Sequence, residues 1–126
     1  ILDVALVNTV VEVSDDDEPK PLDPDSRILL YQCVRELLRN AVKHGQTVWV
    51  GVRTRVDGAQ IVVEVEDRGS GFEPASVESL PGHRGGFGLY SIRERLRMLN
   101  GSMRIRSSPG SGTLVTLTVP MQREPP

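Results

Sequence analysis

The chain has 126 residues, 15 basic and 17 acidic side chains, and a formal net charge of -2. This length suits a single domain, and the near-neutral charge gives no overall field that would attract nucleic acid or an anionic membrane. The one cysteine, Cys33, excludes an internal disulfide. Together with the lack of any targeting or membrane-spanning pattern, it predicts a cytoplasmic domain, whether or not a longer parent protein is membrane-anchored.

The first part of the chain predicts strands, an acidic loop and a long amphipathic helix. Ile1 to Val13 is rich in β-branched residues and predicts one or two strands, and residues 14–25 predict an acidic, solvated loop. Asp25 or Ser26 is the expected N-cap of the helix, and Gly45 its left-handed C-terminal cap. At 100° per residue the apolar residues of this helix share one stripe, which contains Leu29, Leu30, Cys33, Val34, Leu37, Leu38 and Ala41.

A row of polar residues interrupts that stripe. Glu36, Asn40 and His44 follow one another at i, i+4 and i+8, and Lys43 lies beside them. A buried amide or imidazole costs stability unless it finds hydrogen-bond partners. Either neighbouring backbone or a bound ligand must therefore satisfy this row.

A hairpin and a glycine-rich segment follow. Thr47 to Arg55 and Gln60 to Glu66 alternate apolar and polar residues around a turn at Asp57 and Gly58, which predicts two antiparallel strands. Residues 67–88 are rich in glycine and lack periodicity. A long irregular loop in a compact domain is more often a functional lid than a connector, so we expect a lid here.

Asp67 stands at the end of the second hairpin strand, where its carboxylate can only accept hydrogen bonds. The N6 amine of adenine donates, whereas guanine presents an acceptor oxygen at the same place and would be repelled. Gly69 and Gly71 would let the backbone approach a base closely and adopt positive φ. Taken alone, this segment is more typical of an ordinary strand-to-loop turn than of a base-binding site.

The remaining residues predict a helix and two strands. Helical spacing of apolar residues runs from Leu89 to Leu99 and stops at residues 100–101. Alternation of period two then runs from Met103 to Arg106 and from Val115 to Val119, and residues 121–126 resemble a frayed tail. The elements together predict an α/β (α+β) two-layer sandwich, with a mixed, largely antiparallel sheet covered on one face by helices.

Gly85, Gly86 and Gly88 immediately precede the second helix. Backbone amides at a helix N-terminus, with the helix dipole, bind anions such as phosphate. No GK[ST] follows, so the pattern is not a Walker loop. Asn40 can offer a neutral oxygen to a magnesium ion that also binds water and phosphate, and Glu36 can orient or deprotonate a nucleophile.

Three segments, in this order and spacing, closely resemble the GHKL ATPases, which include the gyrase, chaperone, histidine kinase and MutL ATP-binding domains. ELLRNAVKHG at 36–45 resembles the N box, and DRGSGF at 67–72 and GGFGLYSIRERLRMLNG at 85–101 resemble the two glycine boxes. The closing segment from 93 to 120 is similar to NarX- and DesK-like sensor histidine kinases. The resemblance covers residues 26–120 and implies the Bergerat fold, with ATP and Mg²⁺ as cofactors.

Carried over residue by residue, the resemblance implies a role for each matching position. Asn40 would coordinate magnesium and Asp67 would bind the adenine amine. Glu36 would act in catalysis beside Asn40, although a kinase needs a nucleophile other than the water that hydrolytic relatives activate. Lys43 and His44 would lie near phosphate and ribose, and Gly69 and Gly71 would line the base. Gly86, Gly88 and Leu89 would shape the lid and the phosphate site. Thr113 would lie beneath the adenine.

The function that the resemblance implies is that of the ATP-binding catalytic domain of a two-component sensor histidine kinase, spanning residues 1–126. It would donate the γ-phosphate to a histidine on a separate dimerisation domain that no segment here resembles. A response regulator would be an indirect partner and the parent a homodimer, with no nucleic acid and no direct membrane contact. The alternative is an ATP-binding regulatory or anti-sigma-like serine kinase module of the same superfamily, but the RERL helix favours the histidine kinase. Small size and the lack of a basic surface disfavour a topoisomerase or repair ATPase.

Overall fold

The structure is a computed structural model that describes residues 9–43, 47–73 and 88–122. Its elements in chain order are β1 (Val10–Asp15), α1 (Pro24–Lys43), β2 (Trp49–Asp57), β3 (Gln60–Asp67), α2 (Leu89–Met98), β4 (Ser102–Ser107) and β5 (Thr113–Pro120). Neither described helix has the length and apolar character needed to cross a membrane.

The strands of the described part form one mixed sheet in the order β1-β2-β3-β5-β4. β1 pairs in parallel with β2, and the other three pairings are antiparallel. The predicted mixed, largely antiparallel sheet is therefore confirmed. β3 and β5 are antiparallel neighbours, so the last residue of β3 lies beside the first residue of β5. There Asp67 pairs with Thr113.

Both helices pack on one face of this sheet, as the sequence predicted. Each fully buried aliphatic side chain in such a layer stabilises the fold by about 1.5 to 3 kcal/mol relative to exposure. The strands contribute Val50, Val52, Ile61, Val63, Val65, Met103, Val115, Leu117 and Val119 to the core, and the helices and the residue after α2 contribute Cys33, Leu37, Ala41, Leu89, Ile92, Leu96 and Leu99. The opposite face is polar, and there Arg53 bonds to Glu64 and Glu66 at 3.2 and 3.0 Å.

The N-terminus of α1 differs from the sequence-based prediction. The Asp23 carboxylate accepts a hydrogen bond from the backbone amide of Ser26 at 2.7 Å, so Asp23 is the N-cap and the prediction of Asp25 or Ser26 was wrong. Pro24 takes the first helical position, where its missing N–H costs no hydrogen bond. Ser26 is buried, and its hydroxyl donates to the Gln122 side chain at 3.1 Å.

The acidic loop is shorter than residues 14–25 and is more than a solvated surface. β1 extends to Asp15 and α1 begins at Pro24. Lys20 binds both Asp15 and Asp16, and a second oxygen of Asp16 accepts from the Val56 amide at 2.7 Å. The hydrogen bond from Lys20 lowers the pKa of Asp16 to about 2. These carboxylates therefore fasten the end of β1 to β2.

Other boundaries shift by one or two residues. The hairpin strands are Trp49–Asp57 and Gln60–Asp67, joined by Gly58 and Ala59, so the first begins two residues later than predicted. The start of the predicted tail is bonded, since the Met121 amide donates to the Ala59 carbonyl at 2.9 Å. The helix stop at residues 100–101 is confirmed, because Asn100 is left-handed with φ 57. The predicted cap Gly45 lies outside the described residues.

Candidate nucleotide site

A cleft opens between the helix layer and the sheet, where α1, the start of α2 and the ends of β3 and β5 converge. It encloses about 440 Å³ of space not filled by atoms, part of which is open to solvent. The residues that line it are Leu37, Asn40, Ala41, Val65, Asp67, Gly71, Phe72, Leu89, Thr113 and Val115. The cleft is thus mainly apolar, with a few polar groups that converge on it.

Asp67 is the buried acid of this cleft, with 9% of its surface exposed. Burial raises the pKa of its carboxyl, and backbone amides of Gly69 and Thr113 that donate to the carboxylate oppose this shift. The Gly69 amide lies 2.8 Å from Oδ1, which closes a tight turn just after β3. A carboxylate held in this way still has lone pairs for an amine donor from a ligand.

The glycine segment after Asp67 packs directly against the turn between β4 and β5. Gly71 has φ 68, and a Cβ there would lie 2.1 Å from the Ser108 carbonyl oxygen. The Gly110 amide donates to the Ser70 carbonyl at 2.6 Å. Gly112, with φ 74, lies against the Asp67 carbonyl, since a Cβ at Gly112 would be 2.4 Å from that oxygen. Only glycine permits these backbone approaches.

Ser107 joins the same two segments through its hydroxyl. Its Oγ accepts from the Phe72 amide at 2.9 Å, donates to the Gly112 carbonyl at 2.9 Å and lies 2.9 Å from Oγ1 of Thr113. No sequence pattern predicted a role for this residue. Ser107 is the first serine of the SSPGSG segment, and nothing in its spacing points to Phe72.

Helix α1 supplies one wall of the cleft. Leu37, Asn40 and Ala41 face it, and Asn40 is half-buried. Glu36 does not line the cleft but lies against the start of α2, where Glu36 Oε1 is 2.6 Å from the position that a Cβ of Gly88 would take. Lys43 is exposed at the end of α1 and is also not brought to the cleft wall.

The start of α2 closes the other side. Gly88 is the N-cap with φ 64, and no side chain of the described residues caps it. Ile92 donates its amide to the Gly88 carbonyl at 3.0 Å. The amides of a first helical turn have no partner within the helix, so they can bind an anion. Leu89, the first residue of α2, is buried and lines the cleft.

The structure thus brings together five of the residues singled out from the sequence, namely Asn40, Asp67, Gly71, Leu89 and Thr113. Gly69 contributes its amide to Asp67 instead of lining the cleft. His44, Gly86 and most of the predicted lid lie outside the described residues. The apolar wall was not predicted, because a core side chain and a cleft-lining side chain follow the same periodicity. It consists of Leu37, Ala41, Val65, Phe72 and Val115.

One family model matches most of the chain. It is described as Histidine kinase-, DNA gyrase B-, and HSP90-like ATPase, and it matches residues 25–123. An uncharacterized sensor-like histidine kinase of Chloroflexus aurantiacus is 38% identical over 95 residues, which make up 74% of this chain and 16% of that protein. The chain therefore spans about one sixth of the length of this curated relative.

Solved structures of histidine kinases share the fold. The Acinetobacter baumannii histidine kinase AdeS superposes with a TM-score of 0.76 at 20% identity, over 92% of this chain and 56% of that one. The histidine kinase domain of the Erythrobacter litoralis EL346 blue-light activated histidine kinase gives 0.71 at 22% identity, over 89% and 52%. At these identities the likeness describes the fold alone.

Proposed function

Because the chain belongs to the histidine kinase-, DNA gyrase B-, and HSP90-like ATPase family, we propose that it is the ATP-binding catalytic domain of a sensor histidine kinase. The observation that carries this proposal is the buried carboxylate of Asp67 inside a mainly apolar cleft. An ionisable group in such a place costs stability, and a ligand that donates a hydrogen bond to it offsets that cost.

The adenine ring occupies the apolar part of the cleft in this proposal. Val65, Phe72 and Leu37 supply flat or aliphatic surface around the ring, and Gly71 lets the backbone approach it. Asp67 accepts a hydrogen bond from the N6 amine, which guanine lacks at that position. Gly69 acts indirectly, since its amide holds the Asp67 carboxylate in place.

Magnesium and the phosphates lie towards the end of α1 and the start of α2. Among the described residues there is no cluster of three or more His, Cys, Asp or Glu that would hold a metal by itself. A magnesium ion that keeps water and phosphate ligands needs only one protein oxygen, and Asn40 offers it. Gly88 and Leu89 bring the first amides of α2 towards the phosphates, and we assign Gly86, Lys43 and His44 to the same region by the family resemblance.

The γ-phosphate passes to a histidine, as the name of the Chloroflexus relative suggests. The family resemblance supports a separate domain as the carrier of that histidine. Glu36 lies beside Gly88 at the N-terminus of α2, where the helix dipole stabilises a carboxylate. From there it can orient or deprotonate the incoming nucleophile. Residues 67–88 act as the lid over the nucleotide, and the family resemblance supports this assignment.

Calorimetric titration of an Asp67→Ala variant tests this function. Losing a hydrogen bond to a charged acceptor costs about 1.5 to 3 kcal/mol, so ATP affinity should fall roughly ten- to a hundredfold. Asp57→Ala is the matched control, because Asp57 is an exposed carboxylate at the other end of the hairpin. We expect it to bind ATP like the wild type.

Two results would contradict the proposal. One is equal affinity of the wild-type chain for ATP and GTP. The other is an Asp67→Ala variant that binds ATP as tightly as the Asp57→Ala control while both retain the wild-type circular dichroism spectrum.

A further inference from the structure

The hydroxyl of Ser107 has three polar neighbours and one proton. The Phe72 amide, the Gly112 carbonyl and the Thr113 hydroxyl all lie 2.9 Å from Ser107 Oγ. Ser107 itself is half-buried and does not line the cleft, whereas Thr113 does. Any effect of Ser107 on a ligand in the cleft must therefore act through a neighbouring residue such as Thr113.

The direction of each hydrogen bond follows from the chemistry of the partners. A serine hydroxyl donates one hydrogen bond and accepts two. The Phe72 amide can only donate, and the Gly112 carbonyl can only accept, so the single proton of Ser107 goes to Gly112. The remaining lone pair of Ser107 faces Thr113, and the Thr113 hydroxyl must therefore donate to Ser107.

This arrangement fixes what Thr113 presents to the cleft. With its proton committed to Ser107, Oγ1 of Thr113 offers only lone pairs. Thr113 is the cross-strand partner of Asp67, and directly paired side chains on one face lie roughly 4.5 to 5.5 Å apart at Cβ. Two acceptors thus stand side by side, and an exocyclic amine has two hydrogens to donate.

We propose that Ser107 is a positioning residue that turns the Thr113 hydroxyl into a fixed acceptor, so that Asp67 and Thr113 together select a purine with an amine at position 6. This inference rests on the proposed ATP-binding function. Without Ser107, the Thr113 hydroxyl rotates freely and can donate as well as accept, so it no longer disfavours a nucleotide that carries an acceptor at that position.

The test compares ATP with 6-methoxypurine riboside triphosphate. The two differ only in the group at position 6, which donates in ATP and accepts in the methoxy compound. In Ser107→Ala, the ratio of the ATP affinity to the affinity for the methoxy compound should fall about three- to tenfold. One neutral hydrogen bond contributes an effect of this size. Calorimetric or competition titrations of both nucleotides give this ratio directly.

A double-mutant cycle separates this role from a structural one. Thr113→Val removes the hydroxyl, so adding Ser107→Ala to that variant should leave the ATP preference unchanged. Ser108→Ala, at the exposed neighbouring serine, should keep the wild-type ratio. Ser107→Thr retains a hydroxyl and should also show the wild-type ratio of the two nucleotide affinities. If Ser107→Ala does not fold, Ser107→Cys fills the same space with a slightly larger side chain, weakens the same hydrogen bonds and should lower the ratio likewise.

Several outcomes would overturn the inference. If Ser107→Ala weakens both nucleotides by the same factor, Ser107 only clamps the backbone of Phe72. A Ser107→Ala change that lowers the ratio of the two affinities equally in the wild-type background and in Thr113→Val would show that Ser107 does not act through Thr113. A wild-type chain that binds neither nucleotide would contradict the proposed function as well, whereas a wild type that prefers ATP with an unchanged ratio in Ser107→Ala would remove only this inference.

Discussion

Two glycines of the candidate site share one backbone conformation in different surroundings. Gly71 has φ 68 and Gly110 has φ 84, so any other residue is strained at both positions. A Cβ at Gly110 would meet nothing within 4 Å, whereas a Cβ at Gly71 would lie 2.1 Å from a carbonyl oxygen. A substitution at Gly110 therefore measures the cost of left-handed backbone alone, whereas one at Gly71 adds the cost of the close contact beneath the cleft.

We expect Gly110→Ala to lower the free energy of unfolding by about 1 to 2 kcal/mol, the cost of a left-handed non-glycine residue. Gly71→Ala should lower the free energy of unfolding clearly more than Gly110→Ala does. It should also weaken ATP binding, because the backbone beside Asp67 must shift. Urea unfolding and calorimetric titration measure both effects. Equal losses of stability in the two variants would show that the contact between Gly71 and Ser108 does not constrain the segment.

At the scale of elements, α1 and α2 meet through a buried thiol. Cys33 is fully buried, and its Sγ lies 3.9 Å from the Ile92 carbonyl oxygen of α2. Burial raises the pKa of Cys33 to about 11. The thiolate is the reactive form, so this cysteine is both inaccessible and largely unreactive in the folded chain.

We therefore expect Cys33 to react with a thiol reagent at pH 8 far more slowly in the native chain than in denaturant, where its ordinary pKa of 9.0 applies. Reaction then requires opening of the interface between α1 and α2. Mg²⁺ and ATP should slow it further, because ligand binding stabilises the closed form. Cys33→Ser provides the reagent blank. Reaction of the native chain at the denatured rate would show that the two helices do not pack as described.

At the scale of the whole molecule, the proposed reaction divides between this chain and an acceptor. The chain contains two histidines, His44 and His83, and both lie outside the described residues. Phosphoryl transfer requires a nucleophile placed in line with the γ-phosphate. In the proposed function, the nucleophile comes from a histidine-bearing helical domain.

Radiolabelled ATP should therefore leave the isolated chain essentially unlabelled. Adding the histidine-bearing domain of the same kinase in trans should yield acid-labile phosphohistidine on that domain. Asn40→Ala should abolish this labelling because it removes the proposed magnesium ligand, whereas Gln32→Ala, on the exposed face of the same helix, should not.

Efficient labelling of the isolated wild-type chain would contradict the need for a separate acceptor. Undiminished transfer by the Asn40→Ala variant would contradict the role assigned to Asn40. Acid-stable label on a serine of a partner protein would support the serine kinase alternative.

Local pattern was enough to predict most elements of this fold. The apolar stripe of α1 and the alternation in β2 and β3 depend on periods of 3.6 and two residues, which are set by the backbone conformation of each element alone. Asp67 and Gly71 were also singled out from local pattern, and both line the cleft in the structure.

Hydrophobic periodicity predicted which residues of the described strands and helices face the core. Which of them come into contact depends on the sheet order β3-β5-β4, because it brings together segments that are distant in the chain. Ser107 and Phe72 are 35 residues apart, and Ser26 and Gln122 are 96 residues apart. Hydrogen bonds over such separations depend on how the strands pair and not on local periodicity, so the contact of Ser107 with Phe72 was not visible in the sequence.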